Sequence, residues 1–222
     1  MRFLCLHGQG TSSQVLEVQL SAVQYQLGDG HTYEFVEGTV PESAAPEIQA
    51  VFSPDGQYFG YFAEESPESC LAALNSLDRY LQVEGPFDGL IAFSQGGALA
   101  STLLVRQNLG RPRATDLKVA IFFSGGIPVD PVLLEQGVLK SLDHECNGEV
   151  IRVPTAHVMG RTESGELQWP SKLVKLCRAD TRDVFHHEGG HEIPGIKDRA
   201  GVTGVVQVMR RAMWRAQAAS RV

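Results

Sequence analysis

The stretch Leu90-Ile91-Ala92-Phe93-Ser94-Gln95-Gly96-Gly97-Ala98 decides how the chain is read. An apolar run climbs to one serine, small residues stand two positions before and after it, and a helix-compatible run follows. That order describes a strand, a sharp turn and a helix, with the serine held at the turn. A residue on such an elbow sits in a strained backbone conformation, so its neighbours at two positions either side must be small. Here they are Ala92 and Gly96, giving A-x-S-x-G, one methyl larger than the usual G-x-S-x-G. A serine that merely capped a helix would need no such neighbours. Ser94 is therefore the candidate nucleophile.

Working outward, the segments before the elbow alternate between strand-like and helix-like. Arg2 to Leu6 is a short apolar run that enters the glycine turn His7-Gly8-Gln9-Gly10. Thr11, Ser12 and Ser13 are N-cap candidates for a helix carrying Val15, Leu16, Val18, Leu20, Val23 and Leu27. His31 to Val36 reads as a second strand. This opening implies a parallel sheet with helices on both faces. Pro67 starts a helix through Leu71, Leu74, Leu77 and Leu81, which ends before Gly85-Pro86.

After the elbow, Gln95 to Leu109 reads as a helix stopped by Gly110 to Pro112. Leu117 to Phe123 is a continuous apolar strand of the kind buried on both faces. Val150 to Met159 reads as a strand interrupted by Pro154, and Trp169 to Cys177 as a helix. A short strand spans about Val184 to His186, and an amphipathic helix closes the chain. The expected fold is α/β, a mostly parallel sheet in a single domain over residues 1–222.

Two segments stand apart. Gly38 to Glu65 is rich in proline and carries Phe52, Tyr58, Phe59, Tyr61 and Phe62. A long loop of this composition is either functional or an ordered segment packed on the core, and both readings stay open. Pro128 to Glu149 reads as a short helical cover over the cleft or as a connection. Tyr58, Phe59 and Phe62, with Phe123 and Ile127, are the candidate substrate-pocket residues.

The 222 residues carry a net charge of −7 with acids and bases interspersed. Binding nucleic acid requires a basic face, so such a partner is not expected. No apolar run is long enough to span a bilayer, and no secretory signal is legible at the start. Cys5, Cys70, Cys146 and Cys177 are scattered, without the spacing of a metal site. This pattern points to a reduced, cytoplasmic protein with no metal and no cofactor.

In an open parallel sheet, ligand sites form where loops leave the carboxyl ends of strands. Four such exits contain glycine: His7 to Gly10, Ser94 to Gly97, Gly160 to Glu163 and Gly189 to His191. They supply a serine, an acid and a histidine in the chain order seen in α/β-hydrolases. A serine hydroxyl becomes a competent nucleophile when a neutral imidazole takes its proton, and a carboxylate fixes the imidazole tautomer. His191, which follows a Gly-Gly turn, is the candidate base over His7, His157, His186 and His187. Glu163, three residues past Gly160, is the candidate acid over Asp180 and Asp183. The backbone N–H groups of Gln9 and Gln95 are the candidate oxyanion donors, the second at a helix N-terminus.

Together, L-C-L-H-G-Q-G-T-S, F-S-Q-G-G, S-G-G-I-P, V-P-T-A-H-V-M-G-R-T-E and G-G-H-E-I-P resemble the fungal and eukaryotic family of serine hydrolases. This group includes the ovarian-cancer-associated hydrolases and the stand-alone thioesterases of polyketide gene clusters. The resemblance spans nearly the whole chain. It implies an α/β-hydrolase fold without a large lid domain and a triad on Ser94, Glu163 and His191. Two positions depart from the family pattern, Ala92 for glycine and Glu163 for aspartate. The expected activity is cleavage of a small-molecule ester or an acyl thioester through an acyl-enzyme. An acyl carrier protein of a polyketide synthase is the expected partner. A short-chain carboxylesterase, a carbon–carbon bond hydrolase or cyclase on the same triad, and a non-catalytic module of this fold are the alternatives.

Overall fold

The computed structural model describes residues 1–49, 52, 56–109, 117–163 and 169–219. In chain order the elements are β1 (Arg2–Leu6), α1 (Ser13–Leu27), β2 (Thr32–Val36), β3 (Val40–Glu42), α2 (Pro46–Gln49), β4 (Tyr58–Gly60), α3 (Pro67–Glu84) and β5 (Gly89–Phe93). They continue with α4 (Gln95–Asn108), β6 (Val119–Phe123), α5 (Pro131–Glu135), α6 (His144–Asn147), β7 (Thr155–Gly160), α7 (Trp169–Leu176), β8 (Arg182–His187) and α8 (Arg199–Ala219).

Six strands form one sheet in the order β2-β1-β5-β6-β7-β8, every neighbouring pair parallel. From β1 the chain goes to β2 on one side, then crosses back to place β5 on the other. The strand order therefore reverses between β1 and β5, and in open α/β sheets the crevice at that point receives ligands. The exits that meet there are His7 to Gly10 and Ser94.

Strand side chains alternate between two cores, as the two-residue repeat requires. Leu4, Leu6, Leu90, Ala92, Ala120 and Phe122 face α3, α4, α5 and α7. Phe3, Cys5, Ile91, Phe93, Ile121 and Phe123 face α1 and α8. Helix starts follow their capping residues. Ser12 accepts the Val15 N–H ahead of α1, and Ser66 accepts the Ser69 N–H ahead of α3, with Pro67 in its first turn. Cys5, Cys70 and Cys177 are buried, Cys146 is exposed, and all four are free.

Several expectations need correction. The strand read from Val150 begins only at Thr155. Pro154 has no N–H to give the ladder, and Ile151 instead makes an isolated bridge to Cys177. The Gly38 to Glu65 segment is not a plain loop: β3 and β4 pair antiparallel, with α2 between them. This hairpin grips the first glycine turn, since Gly10 N–H donates to Phe59 O at 3.0 Å and Phe59 N–H to Thr11 O at 2.7 Å. Pro128 to Glu149 does hold short helices, α5 and α6, but none of its residues lines the cleft at Ser94. Val18 does not join the α1 core face but is 59% exposed. The helix stop at Gly110 to Pro112 and Pro54 lie outside the described residues. No helix among the described residues is long and apolar enough to cross a membrane.

Candidate active site

Strand β5 delivers Ser94 to the rim with φ 52° and ψ −116°. A non-glycine residue in that region is strained by about 1–3 kcal/mol and persists only where its surroundings hold it. Ser94 N–H donates to Phe123 O at 3.1 Å, and Ser94 O accepts from Gly97 at 2.9 Å and Gly126 at 3.0 Å. The small neighbours differ in what they tolerate. Ala92 lies fully buried, in register with Leu6 on one side and Phe122 on the other. A Cβ on Gly96 would stand 2.5 Å from the His7 carbonyl oxygen and 2.7 Å from that of Leu6. One methyl fits at 92 and none fits at 96. The Ser94 side chain makes no capping bond to α4, which leaves Oγ for another partner.

That partner is His191. Its Nε2 lies 3.0 Å from Ser94 Oγ, and its Nδ1 lies 2.5 Å from Glu163 Oε1. The arrangement requires Nδ1–H to donate to Glu163 and Nε2 to accept from the serine hydroxyl. Phe93 packs against the imidazole, ring centroids 4.9 Å apart. Glu163, one methylene longer than aspartate, folds back so that Oε2 accepts the Gly160 N–H at 3.1 Å. Burial pushes its carboxyl up, but the bonds from His191 and Gly160 and the nearby Ser124 hydroxyl hold it below the usual glutamate value. Ser124 Oγ is buried without a hydrogen bond of good geometry, so the His191 and Gly160 contacts carry that effect. Gly160 has room for no side chain, because a Cβ there would meet Gly190 O at 2.2 Å. The acid loop and the histidine loop thus pack backbone to backbone.

Gln9 and Gln95 flank the serine. Gly96 N–H donates to His7 O at 3.1 Å, and a Cβ on Gly8 would lie 3.2 Å from Ser94 Cβ, so the first glycine turn lies against the elbow. Among the described residues, neither the Gln9 nor the Gln95 backbone N–H has an acceptor. The second opens α4, where helix N–H groups lack intrahelical partners. The Gln9 side chain is fixed by donating to Glu42 at 3.0 Å.

The rival histidines and acids, apart from the exposed His186, are engaged elsewhere. His157 is buried mid-strand against Phe122 and contacts Thr155 Oγ1 at 3.0 Å, and burial pushes its pKa down to about 3. His7 is buried with Nδ1 2.6 Å from Gly8 O, while its Nε2 accepts the Gly38 N–H at 2.9 Å. Glu37 Oε1 also lies 2.8 Å from that Nε2, a contact that needs the opposite protonation. Burial lowers the His7 pKa, so the neutral ring is assigned. His187 is buried and accepts the Gly189 N–H, and His186 is exposed. Asp180 pairs with Arg178. Asp183 lies in β8 and pairs with Arg211 and Arg215 of α8.

A cleft of about 1040 Å³ opens at Ser94 and His191 and runs along α1. None of the five sequence-predicted pocket residues lines it. Tyr58 is buried with Val15 and Ile48, Phe123 lies in the sheet core, and Phe62 and Ile127 pack against the opposite core. Phe59 belongs to β4, which holds the first glycine turn. Tyr58, Phe59 and Tyr61 fasten the hairpin, whereas Phe52 of the same segment lines the cleft together with Ala45 and Ile48. The cleft instead borrows Val18, Ala22 and Tyr25 from α1 and Ile193 and Ile196 from the loop after His191. The sequence signal for it is a second apolar stripe on α1, Val18, Ala22 and Tyr25, offset from the buried stripe of Leu16, Leu20, Val23 and Leu27.

Comparison with known proteins agrees with this geometry. The profile of the "Serine hydrolase (FSH1)" family matches residues 1–201. "Esterase FPY3" of Fusarium mangiferae is 40% identical over 199 residues, covering 88% of this chain and 89% of that protein. "Hydrolase phiM" of a fungal species is 29% identical over 198 residues, covering 87% and 86%. Among solved structures, a carboxylesterase from Mesorhizobium loti superposes with a TM-score of 0.59 at 17% identity, covering 95% of this chain and 88% of that one. Arabidopsis thaliana SOBER1 does so with a TM-score of 0.57 at 17% identity, covering 96% and 99%. Both structures show the α/β-hydrolase fold. The chain belongs to the FSH1 family of serine hydrolases.

Proposed function

We propose that Ser94, His191 and Glu163 are a catalytic triad that releases a polyketide or fatty acyl chain from a carrier protein by cleaving its thioester. The carrying observation is the hydrogen-bonded chain from Glu163 through His191 to Ser94 Oγ. Ser94 Oγ attacks the acyl carbonyl carbon while His191 Nε2 takes the hydroxyl proton. The carbonyl oxygen becomes an oxyanion, for which the Gln9 and Gln95 N–H groups are the donors. Collapse breaks the carbon–sulfur or carbon–oxygen bond, and the imidazolium returns its proton to the leaving thiol or alcohol. Water then attacks the acyl-enzyme with His191 again as base, freeing the acid and restoring Ser94. Glu163 remains a carboxylate throughout and stabilises the imidazolium.

The apolar walls of the cleft beside Ser94 and the 40% identity to a fungal esterase support an acyl substrate. Four free cysteines, three of them buried, support a reducing, cytoplasmic setting. The test is twofold. A fluorophosphonate probe should label the wild type and not Ser94→Ala, and turnover should vanish with labelling. An acyl chain on a carrier protein should be released with higher kcat/KM than the same acyl group on p-nitrophenol. Equal or lower values would favour a general carboxylesterase and reject the carrier.

A further inference from the structure

We infer that the groove between α1 and residues 193–203 is the binding site for the acyl chain, and that it selects extended aliphatic chains over short ones. This rests on the reading of Ser94 as the nucleophile. Helix α1 carries more apolar surface than its core contact uses. Leu16, Leu20, Val23 and Leu27 are buried against the sheet. Val18, Ala22 and Tyr25 form a second stripe at i, i+4 and i+7, which share a helical face. Val18 is 59% exposed and Tyr25 91% exposed. Across the groove Ile193 is nearly buried, while Ile196 is 81% exposed. Contiguous apolar side chains left in water on two facing segments mark a surface with an occupant.

Continuity with the reacting atoms identifies the occupant. Ser94 and His191 line the same cavity as Val18, Tyr25 and Ile196, so a chain bonded to Ser94 Oγ enters the space that the stripe borders. At about 1040 Å³ the groove lies at the upper end of small-molecule sites. Charged groups also border it, among them Glu47, Lys197 and Arg199. The leaving side of a carrier thioester is a poor tenant for the apolar walls, because its amides would lose water without gaining partners. An alkyl chain has no hydrogen bonds to water to give up there and gains by burying its apolar surface. The groove therefore takes the acyl side.

The experiment compares p-nitrophenyl acetate with p-nitrophenyl decanoate in the wild type and in variants. In the wild type, kcat/KM should rise by about two- to fourfold per added methylene over the first several carbons. Ala22→Trp, which fills the groove, should lower the decanoate-to-acetate ratio by about tenfold or more. Val18→Trp, at an exposed position where folding is not at stake, should lower the same ratio. Tyr25→Ser should reduce it by about two- to fivefold. Variants that fold and label with fluorophosphonate but keep the wild-type ratio would overturn the proposal. So would a length dependence confined to acetate esters of long alcohols, which would put the leaving group in the groove. A wild type that neither hydrolyses an ester nor takes the probe would overturn the Ser94 reading itself, and this proposal with it.

Discussion

The side chain of Gln95 accepts the backbone N–H of Tyr61 at 2.8 Å, so the residue after the elbow serine holds the β3–β4 hairpin. Its Nε2 donates to Phe62 O at 3.0 Å. Tyr61 completes the bracket, because its hydroxyl accepts the His7 N–H at 2.9 Å and donates to Val36 O at 2.8 Å. Elbow, hairpin and first glycine turn are thereby tied through one buried tyrosine. Tyr61→Phe removes only the hydroxyl and takes a partner from the buried His7 N–H and from the half-buried Val36 carbonyl. The loss should be about 2–4 kcal/mol, seen as a Tm lower by about 4–15 °C. kcat should fall more than KM rises, since the loosened turn carries the proposed Gln9 oxyanion donor.

The choice of acid has a direct check. Glu163→Gln keeps the shape but removes the charge that fixes the His191 tautomer, and kcat should fall by about 10³–10⁴. Asp183→Asn weakens pairs to Arg211 and Arg215 at a partly exposed strand edge, and should cost stability of about 1 kcal/mol with kcat unchanged. Steady-state kinetics on a p-nitrophenyl ester decide it. The reverse pattern would mean the wrong carboxylate was named.

Glycine 96 and alanine 92 should respond differently to a single methyl. Gly96→Ala forces a Cβ against the His7 and Leu6 carbonyls, and should lower kcat by about a hundredfold or abolish soluble expression. Ala92→Gly removes a methyl from a strand interior and should destabilise by about 1 kcal/mol with activity retained. Denaturant unfolding alongside kinetics separates the two effects.

Acid stability should follow His157. Its folded pKa of about 3 lies below the ordinary value of 6.5, because burial disfavours the cation. Between those values the unfolded chain binds a proton that the folded chain does not. Stability from this group is therefore complete at neutral pH and declines as pH falls from about 6.5 towards 3. Between pH 7 and pH 5 it should contribute a loss of about 2 kcal/mol. Urea unfolding of His157→Phe at the two pH values should show a correspondingly shallower decline. An identical pH dependence in the variant would contradict the buried, neutral assignment.

Glu163 has the opposite sign of charge and the same direction of response. Its carboxyl lies below the usual value, so the stability its ionised form adds is present at neutral pH. That part is lost as pH falls from the ordinary glutamate value through the lowered one. Far above that range, the His191 contact with the carboxylate should be insensitive to pH on the Glu163 side, as read by proton NMR of the shared Nδ1–H.

What the chain determined on its own is what depends on near neighbours in sequence. The parallel strands appear as short apolar runs and the helices as three-to-four-residue repeats. The elbow appears as small residues around Ser94, since steric crowding at a strained turn acts over two positions. The spacing of Gly160 to Glu163 and Gly189 to His191 marked two further strand exits for the same reason. Tertiary structure alone decided what those pieces meet. Pro154 moved a strand start by removing a ladder donor. Strand β4 found an edge to pair with near Gly10, so Tyr58, Phe59 and Tyr61 became fasteners while Phe52 of the same segment reached the cleft. The cleft was illegible because a helix with two apolar stripes does not say which one the sheet will cover. Leu16 and Leu20 went inward, Val18 and Tyr25 stayed in water along the cleft that Ser94 also lines, and only the packing of α1 against the sheet and α8 made that choice.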